Sequence, residues 1–181
     1  SKAVELAPDS AAAHYNKGRI LADLHRYGEA VPELAAACRL APNDGADAFF
    51  RLGLSQRELQ HYGEAVAALQ KSLALEPHNA DAAYLLGQSL QSLGKTDEAI
   101  AAWKQAIAID ANYSQALYSL FRALARRNPE QSKQYEERFQ ALQQQQGTTE
   151  RARTLSNFAL AAAKAGHWPQ AIAQLREAVQ I

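Results

Sequence analysis

The residues of this 181-residue chain that could do covalent chemistry are few and poorly placed for it. A nucleophile needs a base and an orienting acid beside it, whereas the single cysteine, Cys38, falls inside an expected helix, where a buried structural thiol is the natural reading. Of the five histidines, His25, His61, His78 and His167 fall at expected helix ends or turns, and His14 replaces a large packing residue. No His and Cys come at metal-ligand spacing, and no phosphate loop or dinucleotide fingerprint is present. No enzyme, no metal and no cofactor are expected. What remains is recognition chemistry. Arg122 and Arg126 stand one helical turn apart, and the planar guanidinium fork holds a carboxylate through two bonds. Four aromatics, Tyr15, Phe50, Tyr84 and Tyr118, recur at spacings of 35, 34 and 34 residues.

That spacing belongs to a repeat that must position these side chains. AAAHYNKGRILADLHRYGEAVPELAAACRLAPND from Ala11 is matched by a second copy from Ala46 and a third from Ala80. Counting each copy from its first alanine, small residues recur at position 8 (Gly18, Gly53, Gly87) and position 20 (Ala30, Ala65, Ala99), and a large apolar residue at position 24 (Leu34, Leu69, Trp103). Small residues let two helices approach, and the large one fills the space between successive hairpins. First helices are expected over roughly 11 to 24, 46 to 59 and 80 to 93. Each second helix runs to Pro42, to Pro77 or to the Asp110–Asn112 turn, and a proline after a helix end forbids its continuation. With 39 alanines and 22 leucines against 14 Val, Ile and Thr together, strands lack the β-branched residues they need.

At 34 residues and two helices, with alanine at position 20 and proline at position 32, the pattern resembles the tetratricopeptide repeat family. The resemblance implies an all-α, right-handed α-solenoid of about five helix-turn-helix repeats. The expected division is 1–10 as the end of a preceding repeat, 11–45, 46–79 and 80–113 as regular repeats, 114–148 as a divergent repeat and 149–181 as a fifth repeat cut short. In the divergent copy Phe121 stands where the glycine belongs and Asn128-Pro129 breaks the chain early. Its second helix, with Tyr135, Phe139 and Leu142 on one stripe, is expected over roughly 130 to 146, with Gln143 to Gln146 and Gly147 as a solvated helix end. Solenoid ends need polar caps, so cut ends predict neighbouring repeats or self-association.

The resemblance further implies that the first helices line a concave groove that binds a peptide or protein segment. Candidate groove residues are Tyr15, Arg19, Phe50, Arg57, Tyr84, Gln88, Tyr118, Arg122, Arg126 and Arg153. The aromatics admit two readings, packing between neighbouring first helices or the apolar floor of the groove. Residues 1–113 carry 10 Lys/Arg and 14 Asp/Glu, residues 114–181 carry 9 and 5, so the groove is expected to run from acidic to basic, with Arg153 and Lys164 joining Arg122 and Arg126. The expected partner is therefore a protein or peptide segment, amphipathic with an acidic end. The alternatives are an assembly module stacking through its ends, or a regulatory domain of a larger enzyme. A sequence pI of 6.9 argues against nucleic acid, and no apolar run reaches the ~20 residues of a membrane span. The family's carboxylate clamp is missing, since Tyr15, Arg19, Arg51, Asp81 and Leu85 occupy its places, and Asn16, Arg51, Leu85, Ser119 and Asn157 form no asparagine ladder. The compartment is not legible, with the cytoplasm favoured over the periplasm.

Overall fold

In the computed structural model, residues 10–181 are described, and they form nine α-helices and no strand. Residues 1–9, read above as the end of a preceding repeat, lie outside the described residues. The helices are α1 (Ala11–Asp23), α2 (Tyr27–Leu40), α3 (Ala46–Glu58), α4 (Tyr62–Leu75), α5 (Ala80–Ser92), α6 (Thr96–Ile109), α7 (Ser114–Leu124), α8 (Pro129–Lys164) and α9 (Trp168–Gln180). The chain is thus an all-α repeat fold. Hairpins α1/α2, α3/α4 and α5/α6 each pack on the next, and α7 packs on the first part of α8. No helix of the described residues is long and apolar enough to cross a membrane.

Local chemistry sets the helix ends. Ser10 Oγ and Asn79 Oδ1 accept the N–H groups of Ala13 at 3.2 Å and Ala82 at 2.9 Å, satisfying donors left open at the starts of α1 and α5. Asn128 does the same for Gln131 at 3.1 Å, with Pro129 in the first turn of α8. Four helices end in a left-handed residue: His25 after α1, Gln60 after α3, Gly94 after α5 and Gly166 after α8. Each then folds back through the next amide, for example His61 N–H to Gln56 O at 2.8 Å and Lys95 N–H to Leu90 O at 2.9 Å, the Schellman closure. Glycine adopts this conformation freely, whereas His25 and Gln60 hold it against a side-chain clash.

The repeat grammar becomes packing. Ala30, Ala65 and Ala99 are fully buried, as are Leu34 and Leu69, with Trp103 nearly so. A Cβ placed on Gly18 would lie 2.7 Å from Leu34 Cγ, and one on Gly53 would lie 2.6 Å from Leu69 Cγ; Gly87 faces the Trp103 indole in the same way. In the fourth hairpin the sizes are exchanged: Phe121 is the large member, and the buried Ser132 is the small one, its hydroxyl donating to Phe121 O at 2.8 Å.

The structure departs from the sequence reading in that same hairpin. No helix ends at Gln143–Gly147. Pro129–Lys164 is one helix of 36 residues, about 54 Å long at 1.5 Å per residue. Glutamine is a good helix former, and one solvent-facing glycine costs only ~1 kcal/mol, too little to stop a helix already propagating on both sides. α8 therefore supplies both the second helix of the fourth hairpin and the first helix of the last one.

Candidate functional site

Successive first helices touch: α1 lies against α3, and α3 against α5, more closely than any pair of second helices. The stack therefore curves with α1, α3, α5 and α7 inside. The inner face of α3, α5 and α7 opens into a cavity of about 1310 Å³, bounded by Arg57 and Glu58 from α3, Gln88, Gln91 and Ser92 from α5, and Tyr118, Ser119, Arg122 and Arg126 at α7 and its end.

A polar ladder crosses its floor. Arg57 Nη2 donates to Gln88 Oε1 at 2.6 Å, and Gln88 Nε2 donates to the Tyr84 hydroxyl, while Arg57 Nη1 holds Glu58 at 2.5 Å. The far wall is cationic. The Arg122 guanidinium carbon stands 5.8 Å from the Tyr118 ring centroid, and its Nη1 donates to the Tyr118 hydroxyl at 3.3 Å. Arg126 is exposed and forms no ion pair among the described residues; Arg127 beside it is taken by Asp97. Arg122 and Arg126 thus present two donor forks on one wall with no carboxylate of their own.

Three acids of the N-terminal half, Asp23, Asp47 and Asp81, are already engaged. Arg51 Nε donates to Asp47 at 2.9 Å and its Nη1 to Asp23 at 3.2 Å, and Arg19 pairs with Asp23 at 3.5 Å. Tyr15 donates its hydroxyl to Asp47, and burial together with that carboxylate pushes the phenol above its ordinary value. Tyr113 donates to Asp81 at 2.6 Å and is pushed up in the same way, by burial first and then by Asp81. Both phenols stay protonated donors at neutral pH.

The recurring aromatics bridge neighbours. Tyr15 of the first hairpin reaches Asp47 of the second, half-buried Phe50 packs into the core of the next hairpins, and Tyr84 meets Tyr113 at the entry to α7 with centroids 5.2 Å apart. Tyr118 differs: it is 41% exposed, its ring resting on Phe121 and Phe139. Of the sequence candidates, Arg57, Gln88, Tyr118, Arg122 and Arg126 line the cavity, whereas Tyr15, Arg19, Phe50 and Tyr84 do not. Arg153 is not brought to it either. It sits on the distal half of α8, 3.7 Å from Glu150, and Lys164 lies at the far end of that helix, because α8 does not turn back at Gly147.

Sequence reasoning missed Trp103 and Gln91. Trp103 lines the cavity, and its buried indole N–H has no hydrogen-bond partner among the described residues. The signal was available: among the three regular copies it is the only polar-tipped residue at position 24, where the other two have leucine. Among the described residues no three His, Cys, Asp or Glu side chains gather where they could hold a metal ion. Cys38 is buried, and burial pushes its thiol up to about 11.

The sequence pattern of the tetratricopeptide repeat matches residues 1–45 and 50–116. Over 79 residues, 44% of this chain, the sequence is 37% identical to the Hsp70-Hsp90 organizing protein of Triticum aestivum, and the match spans 13% of that protein's length. The crystal structure of MamA superposes with a TM-score of 0.77 at 24% identity, over 81% of this chain and 85% of MamA. YrrB, described as a TPR protein with an unusual peptide-binding site, superposes with a TM-score of 0.68 at 22% identity over 99% of this chain and 90% of its own. At such identities the structural likeness is one of fold.

Proposed function

The chain belongs to the tetratricopeptide repeat family, and from that premise we propose that it is a non-enzymatic interaction scaffold holding an extended or helical segment of a partner protein in the cavity of α3, α5 and α7. One observation carries the reading: among the described residues Arg122 and Arg126 stand free of carboxylates on the wall of a groove in which Arg57 is already held by Glu58 and Gln88. A guanidinium pair open to solvent beside an exposed tyrosine fits a ligand with a carboxylate next to an apolar or aromatic side chain. Two relatives support it: one is an organizer of two chaperones, and the other is described by its peptide-binding site. The ligand is therefore an amphipathic segment with an acidic end.

A panel of dye-labelled peptides, each an apolar stretch ending in two or three acidic residues, tests this by fluorescence anisotropy and stopped flow. Arg122→Glu with Arg126→Glu slows association by about tenfold or more and removes the salt dependence of the on-rate. Gln88→Ala, at the floor of the groove, speeds dissociation instead. Peptides that bind with an affinity indifferent to salt and to all three changes would place the binding surface elsewhere.

A further inference from the structure

We propose that the terminal hairpin, the distal half of α8 with α9, docks on a second copy of this chain, in reciprocal exchange with that copy's own hairpin. The contact this requires already recurs along the stack. At positions 3 and 7 of the first helices, Ala48 and Leu52 are buried against the first hairpin, Ala82 and Leu86 against the second, and Ala116 and Leu120 against the third. In the terminal hairpin these positions are Thr154 and Phe158; both are exposed, and Phe158 is 58% open to solvent.

The face that should receive them is equally uncovered. In earlier hairpins the recurring aromatic is half-buried by the hairpin that follows. Tyr118, the fourth of the series, has no follower and lies across Phe121 and Phe139 at 6.1 and 5.5 Å between centroids. One chain thus carries both halves of its own repeating contact and leaves both open. The cause is the straight run of α8. Residues 143–151 are exposed on every side, so among the described residues this stretch of helix packs on nothing and acts as an arm. Open space surrounds Gly147 at its centre, and the only extensive contact of α9 among the described residues is with α8. The arm carries Phe158 away from the Tyr118 face of its own chain, and a two-fold pair lets each hairpin cover the other's face. That is an isologous interface in which the same two patches are used twice. The occupant is a second copy because the open faces are complementary halves of a contact this chain makes three times within itself.

The test is sedimentation equilibrium of the 181-residue chain over a wide concentration range. A reversible dimer is expected. Phe158→Asp raises its dissociation constant by about tenfold or more, while Val179→Asp, on the outer face of α9, leaves it unchanged. In a mixture of a Phe139→Cys chain and a Phe158→Cys chain, mild oxidation yields a mixed disulfide dimer, with buried Cys38 left in place. Gly147→Pro interrupts the arm and shifts the population towards a folded monomer, checked by circular dichroism. A chain monomeric at every concentration overturns the proposal. So does a dimer weakened by Val179→Asp but not by Phe158→Asp, which would mean stacking end to end. Because the groove and the dimer contact share Tyr118, peptide binding at Arg122 and Arg126 is scored at concentrations where the Phe158→Asp variant is monomeric and no second copy competes, so failure here leaves the groove assignment standing, and the reverse holds.

Discussion

Gly53→Ala and Gly147→Ala make the same chemical change and should move stability in opposite directions. In a helix interior, replacing glycine by alanine gains ~1 kcal/mol because the unfolded chain loses freedom and the helix does not. At Gly147 nothing lies within 4 Å of the new methyl, so that gain is kept in full. At Gly53 the methyl would sit 2.6 Å from Leu69 Cγ, 3.0 Å from its Cδ2 and 3.2 Å from the Ala65 carbonyl oxygen. Leu69 is fully buried, so it can give way only by displacing its neighbours. Overpacking of this kind costs about 1–3 kcal/mol, and less the ~1 kcal/mol propensity gain the balance at Gly53 is a loss of up to about 2 kcal/mol. For a chain of this length each kcal/mol moves the melting temperature by about 2–4 °C. Thermal unfolding followed by circular dichroism, at protein concentrations low enough to hold the chain monomeric, reads both variants against the parent. Equal shifts of the same sign would refute the packing register on which the description of the repeats rests.

Gln60→Gly relieves the left-handed residue that closes α3 and should stabilise the chain by about 1 kcal/mol, read as a rise in the urea midpoint. The Cys38 thiol, pushed up to about 11 by burial, should stay unreactive to a disulfide reagent at mildly alkaline pH and react fully once urea is added. At Glu33, burial alone would push the carboxyl up, but bonds from Lys17 at 2.5 Å and His14 at 2.7 Å hold it below its ordinary value. A lowered folded-state value contributes stability above the unfolded carboxylate range that fades as pH falls through the folded value. The urea midpoints of the parent and of Glu33→Gln should therefore differ near neutrality and converge by about pH 3.

The hairpins were legible because their grammar is local: Gly18 and Leu34, or Gly53 and Leu69, lie 16 residues apart and announce a close crossing without help from the rest of the chain. The run of α8 through Gly147 was not. The 34-residue period argued for a turn there, while helix propensity over Gln143–Gln146 argued for continuity, and propensity prevailed where no tertiary contact opposed it. The basic cluster followed the same course. Arg122 on α7 and Arg126 in the turn that ends it lie close along the chain and stay together, whereas Arg153 could join them only if the chain turned back. The aromatics show a different limit: their spacing marks an inner face, but whether a ring faces a neighbour or a ligand depends on the hairpin beyond it, as Tyr84 and Tyr118 show by ending in different surroundings.

The buried apolar residues form two clusters. One is centred on Leu34, Cys38 and Leu52, and the other runs from Leu69 through Trp103 to Leu124. The seam passes through α4, where Ala68 belongs to the first and its neighbour Leu69 to the second. A tether pulling the two ends apart would work first on the contacts between successive hairpins, which are thinner than those inside each hairpin, so side chains slide past one another there while every helix stays wound. The molecule should then lengthen as a jointed spring and recoil on release. Arg57, Gln88 and Arg122 come from three successive hairpins, so the cavity would widen as the whole molecule stretches.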